Sequence, residues 1–170
     1  ILKSMHKFGI LNRYLPEFSN ITSQMQYDLF HVYTVDQHTL FVVKNLISFQ
    51  KETTSHKLCY KLISQIQKKE ILYIAALYHD IGKGQEKDHS ILGEELAQDF
   101  CKRHYLSTED SNLICFLVKN HLLMSHTAQR KDLDDHKTIE NFCLYIKNQQ
   151  NLSHLYLLTV ADVCATNPKL

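Results

Sequence analysis

The chain has 170 residues, of which 44% are hydrophobic and 22% are charged, and this balance suits one compact domain. Only four glycines and two prolines are present, which argues against a many-stranded β-sandwich or barrel, a linker-rich array and a disordered chain. The 19 Lys and Arg residues nearly match the 18 Asp and Glu residues, unlike the basic surface of a nucleic-acid-binding protein.

The sequence also argues against a membrane protein and an exported protein. The longest uninterrupted apolar run, the eight-residue Ile71–Tyr78, is far shorter than the roughly 20 residues that cross a bilayer. No leader opens the chain, and its five widely spaced cysteines suit reduced thiols in a cytoplasm better than a disulfide framework. Because the chain begins at Ile1 without Met and ends just after a helical pattern, we expect it to be a piece of a longer protein.

Residues 1–33 are predicted to form a helical or irregular lead-in to the main domain. Leu2–Tyr14 and Glu17–Gln26 have weak helical patterns, whereas the aromatic stretch Tyr27–Tyr33 has a composition that also suits a strand. A capping signal at Thr34 then marks the first helix of the main domain.

That helix is predicted from a capping box formed by Thr34 and Gln37. Apolar residues recur at three- and four-residue steps as far as Phe49, which is the pattern of one buried helix face. His38 lies on this face, so we expect its side chain to point into the protein.

Further helices are predicted along the rest of the chain. They cover His56–Gln67, Glu70–Lys83, a stretch from Asp88 or Ser90 to about His104, a stretch opened by the capping residues Ser107–Asp110, Lys137–Lys147 and Leu152–Thr166. The helix after Ser107–Asp110 carries His121 on its apolar face. Residues Leu122–His136 are polar and break the periodicity, so they are predicted to form the longest, functional loop. The sequence thus predicts an all-α fold, an irregular bundle of about eight helices, in a single domain over residues 1–170.

The dipeptide His79-Asp80 ends the most apolar of the predicted helices. Chance alone supplies roughly 0.65 such dipeptides in a chain of this composition, so the pair by itself proves nothing. The preceding small residues Ala75 and Ala76 let neighbouring helices approach and leave room for an ion beside His79. Lys83 follows one helical turn after His79.

Three more ligand-type side chains are predicted on apolar helix faces: His38, His121 and Asp162. A lone inward histidine is usually a core residue bonded to a carbonyl, and a lone buried Asp more often caps a helix or pairs with Arg. One metal centre would satisfy all these groups together, whereas structural roles need a separate partner for each. The residue pattern alone leaves both interpretations open. The histidines on polar or loop stretches are predicted to lie at the surface: His6, His104, His126, His136 and His154.

The order of these residues resembles the HD superfamily of metal-dependent phosphohydrolases, which is all-helical. In that superfamily a first His, a His-Asp pair and a last Asp bind a divalent cation, and the matching residues are His38, His79, Asp80 and Asp162. The block His79–Gly84 matches the commonest local form of the motif. His89 and His121 match two further histidines of the binuclear members.

Four longer strings resemble, more narrowly, the HD domains of the bacterial bifunctional uridylyltransferase/uridylyl-removing enzymes: Gly9–Phe18, Gln24–His38, Asn120–Arg130 and Leu155–Leu170. The resemblance extends over almost the whole chain, and only Lys51–Lys69 matches poorly. It implies a cytoplasmic hydrolase that removes UMP from a uridylylated tyrosine of the PII nitrogen-signalling protein. It also implies a nucleotidyltransferase domain before this segment and ACT domains after it.

The resemblance further implies two divalent ions bridged by Asp80, with the remaining ligands being His38, His79 and Asp162 for one ion and His89 and His121 for the other. The family implies Mg or Mn, whereas a nitrogen-rich donor set suits Mn, Fe, Co or Zn better than Mg. Asp80 and Lys83 are the candidate catalytic residues, and Lys83 would neutralise charge on the phosphate oxygens. Arg130 and Lys131 are candidate substrate-binding residues, and they fit equally well as solvated loop charges.

Two alternatives remain open at this point. One is an HD hydrolase of a free nucleotide such as guanosine tetraphosphate, which an analysis of the released products would distinguish. The other is a catalytically silent regulatory HD module, and the presence of ligand-type residues at all six positions argues against it.

Overall fold

A computed structural model of the chain describes residues 1–25 and 32–166. These ranges contain ten α-helices and one 3₁₀ helix, in the order α1 (Leu2–Lys7), α2 (Ile10–Tyr14), the 3₁₀ helix (Pro16–Ile21), α3 (Val35–Ser48), α4 (Lys57–Gln65), α5 (Glu70–Tyr78), α6 (His89–Arg103), α7 (Thr108–Lys119), α8 (Leu123–Arg130), α9 (His136–Ile146) and α10 (Gln149–Thr166). The prediction of an all-α bundle is confirmed, with ten α-helices in the described ranges instead of about eight.

Helix α5 lies at the centre of the bundle. It packs against α3, α6, α7 and α10. Six of its nine residues are buried, and Leu72, Ala75 and Ala76 have no exposed surface. The two alanines allow the surrounding helices to approach closely because they have almost no side chain, as the sequence suggested. The end of α5 is therefore surrounded by other helices.

Helices α3 and α10 pack side by side, and α6 packs against α7. The Asn45 side-chain amide in α3 donates a hydrogen bond to the Ala161 carbonyl in α10 at 3.0 Å. This bond joins the two helices next to Asp162, one residue after the accepting carbonyl. None of the helices in residues 1–25 and 32–166 is long and apolar enough to span a bilayer.

The N-terminal lead-in packs into the same core as the main helices. Its residues Leu11, Phe18 and Ile21 are fully buried. The helix predicted over Glu17–Gln26 is wrong, because the 3₁₀ helix ends at Ile21 and Met25 forms an isolated antiparallel bridge with Thr34. Gln26 and all of the predicted aromatic stretch except Val32 and Tyr33 lie outside the described residues.

Two predicted helix boundaries are wrong near the candidate site. The helix predicted over Glu70–Lys83 ends at Tyr78, and turns continue through Gly84. Helix α7 ends at Lys119, so His121 lies just after the helix and not within it. In both places the apolar pattern continues past the helix end because the residues of the following turn are also buried.

The long loop predicted over Leu122–His136 is also wrong, because most of it forms α8. No residue of α8 is fully buried, so the segment shows little of the apolar periodicity that marks a helix in sequence. Only the short connection 131–135 separates α8 from α9.

The helix caps agree in part with the sequence. Asp88 caps α6 by accepting bonds from the backbone nitrogens of Ser90 and Ile91, and Ser107 caps α7 by accepting one from Asp110. Thr34 precedes α3 as predicted, but its hydroxyl makes no capping bond.

The prediction of surface histidines holds for three residues and fails for another. His104, His126 and His136 are exposed. His154 is instead 5% exposed, and its Nδ1 donates to the Gln150 carbonyl at 2.8 Å. His6 is partly buried and lies 3.0 Å from the buried carboxylate of Asp36.

Candidate metal centre

Six ligand-type side chains from five parts of the fold converge beside the end of α5. His79 is the residue that follows α5, and Asp80 comes next in the turn. The other four are His38 in α3, His89 at the start of α6, His121 just after α7 and Asp162 in α10. Four of the six, namely His38, His79, Asp80 and His121, are at most 2% exposed.

The first part of the cluster contains two histidines and two carboxylates. His38 Nε2 lies 2.9 Å from Asp162 Oδ1 and 3.7 Å from Asp80 Oδ2. His79 Nε2 lies 3.2 Å from Asp80 Oδ2 and 3.7 Å from Asp162 Oδ1. The two imidazole Nε2 atoms are 3.4 Å apart. Four donor atoms thus surround one point, within the reach of a single cation.

The second part of the cluster shares Asp80 with the first. Its other carboxylate oxygen, Oδ1, lies 3.7 Å from His121 Nε2 and 4.0 Å from His89 Nε2. His38, His79 and Asp80 form one group with ligand atoms within 4.8 Å of one another, and Asp80, His89 and His121 form a second. Asp80 presents one oxygen to each group and stands between them.

Backbone carbonyls orient two of the histidine rings. His79 Nδ1 donates to the Ala76 carbonyl at 2.7 Å, and His121 Nδ1 donates to the Val118 carbonyl at the same distance. A carbonyl only accepts, so Nδ1 carries the proton and Nε2 faces the centre. Metal-binding histidines typically have this arrangement, with the second nitrogen donating to a carbonyl or carboxylate.

Electrostatics keeps both carboxylates ionised in spite of their burial. Burial raises the pKa of a carboxyl group, but His79 and Lys83 hold the pKa of Asp80 well below its usual value. His38 and His79 lower the pKa of Asp162 in the same way, again against the effect of burial. Burial by itself lowers the pKa of His79, but the two carboxylates raise that pKa to about 10.

The second group of histidines behaves in the opposite way. Burial, reinforced by the nearby His79, lowers the pKa of His121 to about 4. Burial also lowers the pKa of His89 below its ordinary value. Both rings are therefore neutral near pH 7, and neither Nε2 has a hydrogen-bond partner among the residues that the structure describes. Buried polar atoms of this kind are rare unless they serve a ligand.

This donor chemistry fits a divalent cation. Two ionised carboxylates supply negative charge, and neutral imidazoles supply lone pairs without a partner in the described ranges. Four nitrogens and two carboxylates suit the borderline metals best, and carboxylates also accept Mg and Mn.

Lys83 extends from the turn after Asp80 and lies close to the cluster. Its Nζ is 2.7 Å from Asp80 Oδ2, and its side chain is 16% exposed. The sequence placed Lys83 on the helix face of His79, but the turn brings it to Asp80 instead, because α5 ends before reaching it. The ammonium group therefore stands at the cluster edge with some access to solvent.

A close approach between the turn and α6 brings His89 to the cluster. A Cβ atom added to Gly82 would lie 2.6 Å from the His89 carbonyl oxygen, so only glycine fits there without a shift of backbone. Gly82 thus allows the start of α6 to pack directly on the turn that carries Asp80.

Arg130 and Lys131 lie apart from this arrangement. They are exposed at the end of α8, and no described interaction connects them with the six cluster residues. The sequence analysis missed the carbonyls of Ala76 and Val118, because every residue has a carbonyl and residue type gives no signal for one.

The fold and the cluster together define a class: an all-helical domain with a site of histidines and aspartates that can hold metal ions. The model of the HD domain family matches residues 35–167. The chain therefore belongs to the HD domain family.

Curated relatives share much of this sequence. The chain is 56% identical to a bifunctional uridylyltransferase/uridylyl-removing enzyme from Legionella pneumophila strain Paris, over 99% of this chain and 20% of that protein. It is 54% identical to proteins of the same name from Methylococcus capsulatus and Pseudomonas putida, over 99% of this chain and 20% or 19% of those proteins. The chain thus spans about one fifth of the length of these relatives.

Proposed function

We propose that this chain is the hydrolytic domain of a larger enzyme and that it removes UMP from a uridylylated tyrosine of PII in the bacterial cytoplasm. The carrying observation is that Asp80 stands between two groups of imidazoles and presents one carboxylate oxygen to each. The printed name of the relatives, uridylyltransferase/uridylyl-removing enzyme, supports the choice of reaction. The larger chain would add a nucleotidyltransferase domain and ACT domains on either side of residues 1–170.

The six cluster residues would hold two divalent ions. One ion would be held by His38, His79, Asp80 and Asp162, and the other by Asp80, His89 and His121. Bound there, divalent ions supply Lewis acidity toward a phosphate and lower the pKa of water. Mg or Mn is the proposed pair of metals in use, and Fe, Co or Zn also suits the nitrogen donors.

Lys83 would act on the substrate phosphate. Its ammonium group stands at the partly open edge of the cluster, held by Asp80 at 2.7 Å. A phosphodiester entering from solvent would meet this charge, which stabilises the negative oxygens as the phosphorus becomes five-coordinate. The rigid pairing with Asp80 keeps the charge in place before the substrate arrives, so little reorganisation is needed during the reaction.

The reaction exchanges one phosphorus–oxygen bond for another. Water attacks the phosphorus in line with the tyrosyl oxygen, and the bond between phosphorus and that oxygen breaks. The proton released by water ends on the tyrosyl oxygen, so the products are UMP and an unmodified tyrosine. A phenol with an ordinary pKa of about 10 is a fair leaving group, which reduces the need for a strong general acid.

Arg130 and Lys131 are proposed to contact the UMP phosphate or an acidic patch on PII. Their support is their exposure at the end of α8, which leaves both side chains available to a partner.

The test compares full-length protein with its Asp80→Ala variant. We expect the wild-type protein to bind divalent metal and to release UMP from uridylylated PII, measured by elemental analysis and chromatography. Asp80→Ala should reduce release by more than about a hundredfold, since both groups lose their shared ligand. Asp99→Ala is the matched control, because Asp99 is exposed on α6 and pairs only weakly with Lys102 at 3.6 Å.

Three results would contradict the proposal. Retained turnover by Asp80→Ala would remove the role of the cluster. Turnover of guanosine tetraphosphate without release of UMP from PII would identify a hydrolase of free nucleotides. Bound metal without hydrolysis of either substrate would identify a silent regulatory module.

A further inference from the structure

The side chain of Gln24 reaches from the lead-in to the turn that carries Lys83. Its amide oxygen accepts a hydrogen bond from the Gly84 backbone nitrogen at 3.1 Å, and its amide nitrogen donates to the Lys83 carbonyl at 3.2 Å. One side chain thus pairs with two consecutive peptide groups of the turn, as a neighbouring strand would. Gln24 is distant in sequence from the turn, so this contact depends on the tertiary fold.

Gly84 is shaped for this contact. Its φ is +77°, a left-handed conformation that glycine adopts without strain. A Cβ atom at this position would lie 1.9 Å from the Gln24 amide, closer than any real contact. The amide therefore occupies the space that a side chain at residue 84 would fill, and the two residues fit each other closely.

The backbone of Gln24 is fixed on the other side of the site. Its carbonyl accepts a hydrogen bond from Val35, the first residue of α3, at 2.9 Å. The next residue, Met25, forms an antiparallel bridge with Thr34. Gln24 therefore connects the start of the helix that carries His38 with the turn that carries Lys83.

We propose that Gln24 is a positioning residue for the hydrolysis and that it acts through Lys83. The turn has glycine at residues 82 and 84, so its backbone has unusual conformational freedom around Lys83. The clamp from Gln24 removes this freedom and keeps the Lys83 ammonium group at the Asp80 carboxylate. This inference rests on the proposed function, because it assigns Lys83 a role at the substrate phosphate.

The experiment uses full-length protein with Gln24→Ala and, as matched control, Asn12→Ala. Asn12 also uses its amide inside the lead-in, donating to Thr22 at 3.1 Å, but it does not contact the turn. We expect Gln24→Ala to lower kcat for UMP release about tenfold, with KM and bound metal unchanged, because a misplaced catalytic charge affects the reaction step. Asn12→Ala should leave kcat unchanged. Equal kcat values for Gln24→Ala and wild type would overturn the proposal.

Two further measurements separate positioning from general stability. In a Lys83→Ala background, Gln24→Ala should cause no further loss of kcat, because the effect passes through Lys83. An undiminished tenfold loss in that background would show that Gln24 acts by another route. Hydrogen exchange at the Gly84 amide should be faster in Gln24→Ala than in wild type, and an unchanged rate would mean that the clamp does not exist. This readout needs no substrate, so it tests the clamp even if Asp80→Ala shows that the proposed function is wrong.

Discussion

Replacing Asp80 with Asn should reverse the effect of metal on the stability of the domain. In the metal-free protein, the Asp80 carboxylate is 2% exposed and contacts His79 at 3.2 Å and Lys83 at 2.7 Å. Removing one partner of a buried charge pair costs about 3–5 kcal/mol. Lys83 keeps some contact with solvent and can still bond the Asn oxygen, so we expect a loss of about 3 kcal/mol in the free energy of unfolding. For a domain of this size, such a loss lowers Tm by roughly 6–12 °C.

Metal should stabilise the wild-type domain and have little effect on Asp80→Asn. A ligand at 100 times its Kd stabilises the folded state by about 2.7 kcal/mol, which raises Tm by roughly 5–11 °C. The Asn variant keeps the shape of the side chain but loses the negative charge shared by both groups of imidazoles. Differential scanning calorimetry of both proteins with and without Mn measures both effects. Asp99→Asn should behave as wild type, and an equal rise of Tm with Mn in Asp80→Asn would falsify the assignment of Asp80 as a shared ligand.

Two further predictions concern residues around the cluster and away from it. Gly82→Ala should lower Tm and weaken metal binding in calorimetric titration, because a Cβ atom would lie 2.6 Å from the His89 carbonyl; Gly9→Ala, where no atom lies within 4 Å, should leave metal binding unchanged, and equal affinities for all three proteins would contradict this reasoning. Burial lowers the pKa of His154, so the unfolded chain takes up its proton at a higher pH than the folded domain does. This contribution to stability is complete above about pH 6.5 and is lost as the pH falls below it, so urea unfolding between pH 7.5 and 5.5 should show about 1 kcal/mol more loss in wild type than in His154→Gln. An identical loss in both proteins would mean that His154 titrates normally.

The convergence of the cluster could be predicted from sequence because its members lie in strongly apolar surroundings. His38 is on the buried face of a helix with clear periodicity, and Asp162 interrupts an otherwise apolar helix. Each side chain would be costly to bury alone, so a shared centre was a physical inference before any distance was known. The distances of 2.9 Å from His38 to Asp162 and 3.2 Å from His79 to Asp80 agree with that inference.

The errors occurred where burial and helical periodicity separate. Helix α8 buries no residue completely, so its sequence resembles a loop. After α5 the apolar pattern continues through the buried residue Ile81 although the helix has ended, so the sequence extended the helix to Lys83. His154 is preceded by polar residues, but the opposite neighbours of α10 cover it, and single-sequence patterns cannot show which helix faces meet. The contact of Gln24 with Gly84 has the same origin, since nothing local to either residue indicates the other.

The bonds from His79 and His121 to carbonyls three residues earlier have an evolutionary consequence. Every amino acid presents the same carbonyl, so mutations that replace Ala76 or Val118 keep the acceptor that aims each ring. Related proteins are thus free to exchange these two residues for others that fit the local space, and alignments would not reveal them as partners of the histidines. What must be inherited is the path of the main chain through the last turn of the helix, which many different sequences can encode.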